Sequence, residues 1–496
     1  ASPAGRRIST GILSAQGRIF GRALQTDARV TPANYGGPLV DIEGRVMGVV
    51  VPLSPTAQSE VAGLEWYDTG VGFAIPFEDL HARVETMRQG KDIFPGLLGI
   101  GIKAGNRFTD PAVVSVVRPN SPAAKVGIKV NDEVLNVAGK RTGYIAAFMD
   151  AMGVFDAGAS PKLRLKRGDK ELEFSPVLVD QLPPYHHASL GIWLTRGDEP
   201  PTVRALVSNG PAEEARLLPK DVIVAVGGTP VANRAELLER LTALQPGEKA
   251  TLTVKRGAAN VDRPITLGSL ADVEQLNPED LPPRSSAPDA KPLEKTGRQT
   301  LALEEERVTC DILLPPGPPP HEGFALLVHL GTPASMNADN LEATWGKSAP
   351  DAGVIVLSLR PADATRWLPS EVRSLLQAIE AAAAKYPIDR ERIVIAAERP
   401  GMPMALQAAR KRDLIRGVAL IDAELPPNLK LAENEPQTRQ KFLFLTRNPD
   451  SVGKAAESLR KEGFQVIVPV LPIRGDKDIP VASGELFRWI DSLDAL

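Results

Sequence analysis

A single cysteine, Cys310, stands in 496 residues. No disulfide can form within the chain, and Cys-rich zinc and iron–sulfur sites are excluded. Cys310 has no histidine near it in sequence and reads as a small core residue. Histidine is almost as scarce, with five residues at 81, 186, 187, 321 and 329. That leaves little room for His-based metal chemistry, and adjacent His186 and His187 would point to opposite faces of a strand. Neither a metal nor a cofactor is expected. A surplus of one charge sign is also missing: 58 Lys and Arg against 61 Asp and Glu give a net charge of −3. No general basic surface is therefore available to recruit nucleic acid. No apolar run reaches the roughly 18 residues that a bilayer span needs. Ala1–Arg7 lacks the apolar core of a signal peptide.

Glycine and proline, by contrast, are plentiful at 42 and 45 residues. They imply many turns and linkers, without a collagen period or bulk disorder. Hydrophobic residues at 43% and charged residues at 24% are ordinary for a globular protein. At roughly 100–200 residues per domain, the length predicts about three to five domains.

Short β segments start at Ile8–Ser14 and continue to about residue 76. The β-branched run Arg45–Val51, after the turn Asp41–Gly44, is the clearest of them. From Pro76 the spacing of Phe77, Leu80, Val84 and Met87 predicts a helix that stops at Gly90. The middle of the chain is a divergent internal repeat. One copy runs through Ser121–Leu135 and the other through Gly210–Ile223. Each continues through a strand, a Gly turn (Val137–Lys140; Val226–Thr229), a helix, and a strand ending in Lys-Arg-Gly at 166–168 and 255–257. Residues 273–300 read as a linker, because Pro282–Pro292 has almost nothing to bury. Beyond it, apolar strands at 324–330, 354–359, 393–396, 418–421, 442–445 and 466–468 alternate with helical stretches, notably 371–385 and 403–412. Such βαβ alternation predicts a parallel sheet covered by helices.

Leu24–Ala28 followed by Ala33–Val40 resembles the HtrA (Deg) serine proteases, where Gln-Thr-Asp-Ala precedes Gly-Asn-Ser-Gly-Gly-Pro-Leu-Val. Ser9–Ala15 and Gly70–Pro76 extend the likeness on both sides, over about residues 1–90. The resemblance implies the second barrel of a trypsin fold. It also puts Tyr35 where the family has its nucleophilic Ser, and Ala33 where it has the Gly of the oxyanion-hole turn. A Ser hydroxyl needs a general base to attack a carbonyl. Tyr35 carries a bulkier phenol with an ordinary pKa near 10, and Ala33 restricts the backbone. The His and Asp of this fold belong to a first barrel that should precede residue 1. His81, on the later helix, is no substitute.

The repeat resembles the two PDZ domains that follow an HtrA protease domain, with the signature Ser-Pro-Ala-x-x-x-Gly-hydrophobic-x-x-x-Asp-x-hydrophobic recognisable in both copies. The resemblance implies grooves that take protein C-termini or extended peptides as an added strand. The carboxylate loops would be Leu97–Leu98–Gly99–Ile100 and Ser189–Leu190–Gly191–Ile192, where Gly99 and Gly191 let the backbone close on the ligand.

Residues 301–496 resemble the α/β-hydrolase fold in the manner of prolyl-oligopeptidase-like esterases. His329–Leu330–Gly331 matches an oxyanion strand, and Pro387–Ile395 matches the approach to the nucleophile elbow. The elbow should read Gly-x-Ser-x-Gly. It reads Ala397–Glu398–Arg399–Pro400–Gly401, with Arg399 at the nucleophile position. Asp450 fits the acid, and the catalytic His would fall at Ile473–Asp478, where there is none.

The expected organisation is a partial, inactive trypsin-like barrel at 1–90, PDZ domains at 91–182 and 183–272, a linker at 273–300, and an α/β-hydrolase-like domain at 301–496. The fold class is thus multidomain: all-β, two α+β modules, and a parallel α/β sheet. Two frames without their Ser point to a non-catalytic peptide-binding scaffold. A serine endopeptidase engaged in protein quality control and a carboxylester hydrolase remain the alternatives. By resemblance the location is extracytoplasmic or periplasmic, with which a lone Cys is compatible. A homo-oligomer is compatible with the family, whose members assemble through their protease domains.

Overall fold

The computed structural model describes residues 8–52, 71–103, 105–196, 200–273, 281, 284, 286, 290–302, 309–411, 413–423, 425, 434–436, 438–469 and 479–496. It divides into two compact units, Ala1–Pro183 and Pro184–Leu496.

The first unit opens with a five-stranded antiparallel sheet in the order Leu13–Gly17, Ala23–Thr26, Gly72–Pro76, Val46–Val51, Pro38–Val40. Asp41 organises the tight turn before the β-branched strand. Its Oδ1 accepts the N–H groups of Glu43 and Arg45, both at 2.9 Å, and its Oδ2 accepts Arg45 Nε at 2.7 Å. The helix expected from Pro76 spans Phe77–Arg88, with Glu78 and Asp79 in its first turn, where the helix dipole favours them. Gly90, at φ 69°, follows its end.

The first repeat copy completes this unit. A ribbon of Ile100–Ile102 and Val114–Val117 accompanies a sheet ordered Lys170–Phe174, Leu163–Arg167, Glu133–Val137, Lys140–Arg141. Helices Pro122–Val126 and Ile145–Gly153 close over a core that includes Val114, Ile128, Val134, Phe148 and Leu165. Asp156 ties the copy to the preceding segment through Arg22 at 3.1 Å and Arg83 at 2.5 Å.

The second unit begins with the other copy, built from the same parts in the same order. Its ribbon is Ile192–Leu194 with Val203–Leu206, and its helix Arg234–Thr242 is capped by the Asn233 side chain, which accepts the Glu236 N–H at 3.0 Å. The equivalence reaches single atoms. Arg167 grips Asp132 with two hydrogen bonds of 2.7 Å, and Arg256 grips Asp221 likewise. The second nitrogen of each guanidinium also reaches a backbone carbonyl, of Gly127 at 2.8 Å and of Arg216 at 3.0 Å. Each aspartate in addition accepts a backbone N–H at 2.9 Å, from Lys129 and from Leu218.

An eight-stranded sheet follows, ordered Gly297–Ala302, Thr309–Leu314, Val354–Leu359, Phe324–Leu330, Ile388–Glu398, Gly417–Ile421, Lys441–Leu445, Gln465–Ile467. Its first two pairings are antiparallel and the remainder parallel. Every residue of Phe324–Leu330 is buried, as both-face coverage requires. One face packs on helix Glu371–Lys385 through Val372, Leu375, Ala378, Ile379 and Ala382. Leu341, Trp345, Leu486 and Trp489 cover the other. Cys310 lies fully buried in this core. Residues 273–300 depart from a bare linker in two respects. Arg284 is buried among carboxylates, and Gly297 already starts a strand. No described helix is long and apolar enough to cross a membrane.

Candidate functional site

Both glycine loops are built for close approach. Gly99 has φ +80°, and a Cβ there would stand 2.3 Å from the Ser121 Cβ. Gly191 has φ +70°, and its Cβ would meet Pro211 at 3.0 Å. The loop carbonyls are anchored: Gly99 O accepts Arg118 N–H at 2.9 Å, and Gly191 O accepts Val207 N–H at 2.8 Å. Each loop thus has one carbonyl committed within its own copy.

The two grooves differ in what they hold. In the second, Gly191 N–H and Ile192 N–H both donate to the Leu496 oxygen, at 2.8 and 3.1 Å, while Leu496 N–H donates to Ile192 O at 2.9 Å. Leu496 is 1% exposed and joins the core of this copy. In the first, Ile100–Ile102 pairs with Val114–Val117 alone among the described strands. Ile100 is half-buried, whereas Ile192 is fully buried.

Tyr35 follows a short 3-10 turn, Pro32–Asn34. Its N–H donates to Pro32 O at 3.3 Å, and Gly37 N–H donates to Asn34 O at 2.9 Å. The Tyr35 N–H is thus engaged inside the turn rather than aimed outward at an oxyanion. Ala33 is exposed and Tyr35 half-buried. His81 is exposed on its helix and stacks on Phe77 at 6.0 Å.

At the carboxyl ends of the parallel strands, His329 Nε2 lies 3.5 Å from Glu398 Oε1, and its ring meets Trp345 edge-on at 5.4 Å. Glu398 Oε2 accepts Thr332 N–H and Oγ1 at 3.1 and 3.2 Å. Burial opposes ionisation of Glu398, but His329 and Thr332 outweigh it and hold the carboxyl below its usual range. Gly331 is packed between Glu398, His329 and Met336, each 3.1 Å from where its Cβ would stand. Arg399 is exposed at the tip of the strand-to-helix turn, and its backbone is not left-handed. Asp450 is exposed in the first turn of helix Pro449–Lys461. The segment Ile473–Asp478 lies outside the described residues. A cavity of about 790 Å³ opens elsewhere, between Val372, Leu376, Gln407 and Leu414, and none of the sequence-expected site residues line it. Among the described residues no group of His, Cys, Asp and Glu could hold a metal ion.

A family model described as "PDZ domain" matches residues 96–177 and 188–267. The chain carries two PDZ domains. It is also 28% identical over 280 residues to the periplasmic serine endoprotease DegP of Salmonella typhimurium, covering 52% of this chain and 57% of that one. The serine endoprotease DegS of the same species is 32% identical over 196 residues, 36% of this chain and 53% of its own. The crystal structure of the serine endoprotease from Yersinia pestis aligns at 30% identity over 36% of this chain and 59% of its own, with a TM-score of 0.25. The chain therefore resembles HtrA-type serine proteases with PDZ domains, and it spans little more than half the length of these relatives.

Around the second PDZ domain lies a network of buried charge that sequence reading did not find. Arg196 binds Asp389 at 2.5 and 2.8 Å, Arg392 binds Asp389 at 2.6 Å, and Arg284 reaches Asp494 at 3.2 Å. Burial disfavours charge on Asp494, yet Arg284, Arg196, Arg392 and Arg234 hold its pKa at about 2. Nearby Lys441 is fully buried, its Nζ has no hydrogen-bond partner among the described residues, and burial together with Arg439 lowers its pKa to about 7. His187 Nε2 donates to Thr438 O, 2.8 Å away, and burial lowers the His187 pKa to about 3. The available signal was weak: charged residues inside otherwise apolar strands, such as Lys441 before Phe442–Leu445.

Proposed function

We propose that this chain is a non-catalytic, HtrA-like pseudoprotease that binds protein C-termini or extended peptides through its first PDZ domain. The observation that carries this reading is the Ile100–Ile102 edge, which lies beside the left-handed Gly99 loop and pairs with one strand only among the described residues. An extended peptide can add there as a strand, with main-chain hydrogen bonds for affinity and side-chain pockets for specificity. The absence of catalysis is supported by Tyr35 and Ala33, and by the engaged Tyr35 N–H.

Residues 301–496 are proposed to be an α/β-hydrolase-like frame that has lost its chemistry. Supporting this are the strand order, in which the third and fourth strands exchange places, and the antiparallel second strand. Arg399 at the elbow tip cannot act as a nucleophile, and it lacks the backbone strain of such an elbow. The names of the relatives support an extracytoplasmic location.

The second reading, a serine endopeptidase, is favoured by the similarity to DegP and DegS. A fluorophosphonate probe separates the two, since it labels activated serines. The expectation is no labelling of the purified chain, and stoichiometric labelling would defeat the pseudoenzyme reading. A C-terminal peptide array should yield ligands that Ile100→Asp abolishes. A blank array would defeat the peptide-binding function.

A further inference from the structure

We propose that the second PDZ groove is a docking site for the chain's own segment Asp494–Ala495–Leu496, which holds it as an internal ligand and closes it to peptides in trans. The inference deepens the peptide-binding reading and rests on it. Leu496 lies as an added strand residue on Ile192, giving and receiving a main-chain hydrogen bond, and its oxygen takes a further N–H from the Gly191 loop. This is strand addition, the way a PDZ domain takes an extended peptide. The Leu496 side chain fills the apolar core of the domain.

Upstream contacts make the segment selective. Ala495 packs on Trp193, and Trp193 Nε1 donates to Ser492 O at 3.3 Å. Asp494 meets Arg196 at 3.5 Å and Arg284 at 3.2 Å. A residual cavity of about 190 Å³ lies between Leu238 and Thr242 of the groove helix and Leu493–Leu496. Its lining places the segment beside that helix. The ligand class is therefore an extended peptide with an acidic residue, a small residue and leucine in succession. The first PDZ domain, whose Ile100–Ile102 strand pairs only with Val114–Val117 among the described strands, remains for partners in trans.

The test is fluorescence anisotropy on the full chain with a fluorescein-labelled peptide of residues 491–496, in an Ile100→Asp background that disables the first groove. The intact tail should keep the peptide out. Removal of Ala495 and Leu496 should tighten binding at least tenfold, and Leu238→Glu should reverse the gain. Replacing Asp494 of the peptide, two residues before its leucine, by Asn should weaken binding several-fold. If the shortened chain does not fold, Leu496→Ala serves instead, because it keeps the main chain and removes the anchor. Hydrogen exchange then reads the Gly191 and Ile192 amides directly, and at least tenfold loss of protection is expected. Equal peptide binding with and without the tail, or unchanged exchange in Leu496→Ala, overturns the proposal. A blank array at the first groove would defeat the proposed function while leaving these readouts intact.

Discussion

His187 and Lys441 show how single buried residues set the pH response of the second unit. The folded pKa of His187 is about 3, against 6.5 for an ordinary histidine. Between these values the unfolded chain binds the proton and the folded chain does not. Stability is therefore full above pH 6.5 and falls by about 1.4 kcal/mol per pH unit toward pH 3. Urea unfolding at pH 7 and pH 4.5 should register this slope, and His187→Gln should flatten it. Lys441 acts in a different window. Its folded pKa is about 7 against 10.5, so its cost is full below pH 7 and is relieved as pH rises toward 10.5. Lys441→Met should raise the melting temperature most at pH 6. An unchanged melting temperature there would mean that the ammonium is solvated. Gly99 offers a purely steric contrast. A valine meets both φ +80° and Ser121, and should cost on the order of 2–4 kcal/mol. Gly168→Ala, with φ +58° and no neighbour within 4 Å, should cost about 1 kcal/mol.

At the scale of elements, the duplicated Asp–Arg clamp joins the start of one strand to the end of another. Asp221 is 1% exposed and its partner Arg256 is 32% exposed. Burial raises the cost of charge on Asp221, but the hydrogen bonds from Arg256 and the Leu218 N–H, with the Arg256 and Arg263 charges, together outweigh it and hold the pKa below the usual range. Arg256→Met strands a buried carboxylate and should cost about 1–3 kcal/mol. Adding Asp221→Asn should recover part of the loss, which a double-mutant cycle in urea measures. Both halves of this clamp stand in the repeat as sequence motifs, the Asp of the signature and the Arg of Lys-Arg-Gly. Their pairing was not legible, because 35 residues separate them and no helical or strand period links them. The same limit applies to the large sheet. Apolar runs at 324–330 and 354–359 were readable as buried strands. That the first inserts between the second and Ile388–Glu398 is decided by the crossover of the chain, not by composition. The glycine loops at 99 and 191 were legible from their motif, but the arrival of Leu496 at one of them was not, since it depends on where a distant helix ends.

At the scale of the whole molecule, the second unit joins a PDZ domain to an α/β sheet through buried ions as well as the apolar contacts of Trp193, Ala495 and Leu496. Arg196 lies on the PDZ side and Asp389 on the sheet, and Asp389 also holds Arg392. Arg234, from the groove helix, meets Glu391 of the same strand at 2.7 Å. Asp494 adds the tail to this set through Arg196 and Arg284. Such pairs contribute little relative to a packed apolar contact, yet removing one partner leaves a buried charge and costs about 3–5 kcal/mol. They are also directional, so they fix one docked arrangement of the two parts. Residues 184–496 are therefore expected to unfold in a single calorimetric transition, although they contain a PDZ domain and a separate eight-stranded sheet. Arg196→Met strands Asp389 beside one remaining arginine and loosens Asp494. It should split that transition in two and lower the part belonging to the PDZ domain, as read by fluorescence of buried Trp193. If the variant still melts as one unit, the coupling must reside in the apolar contacts of Trp193 and Ala495 instead, and Trp193→Ala would then produce the split.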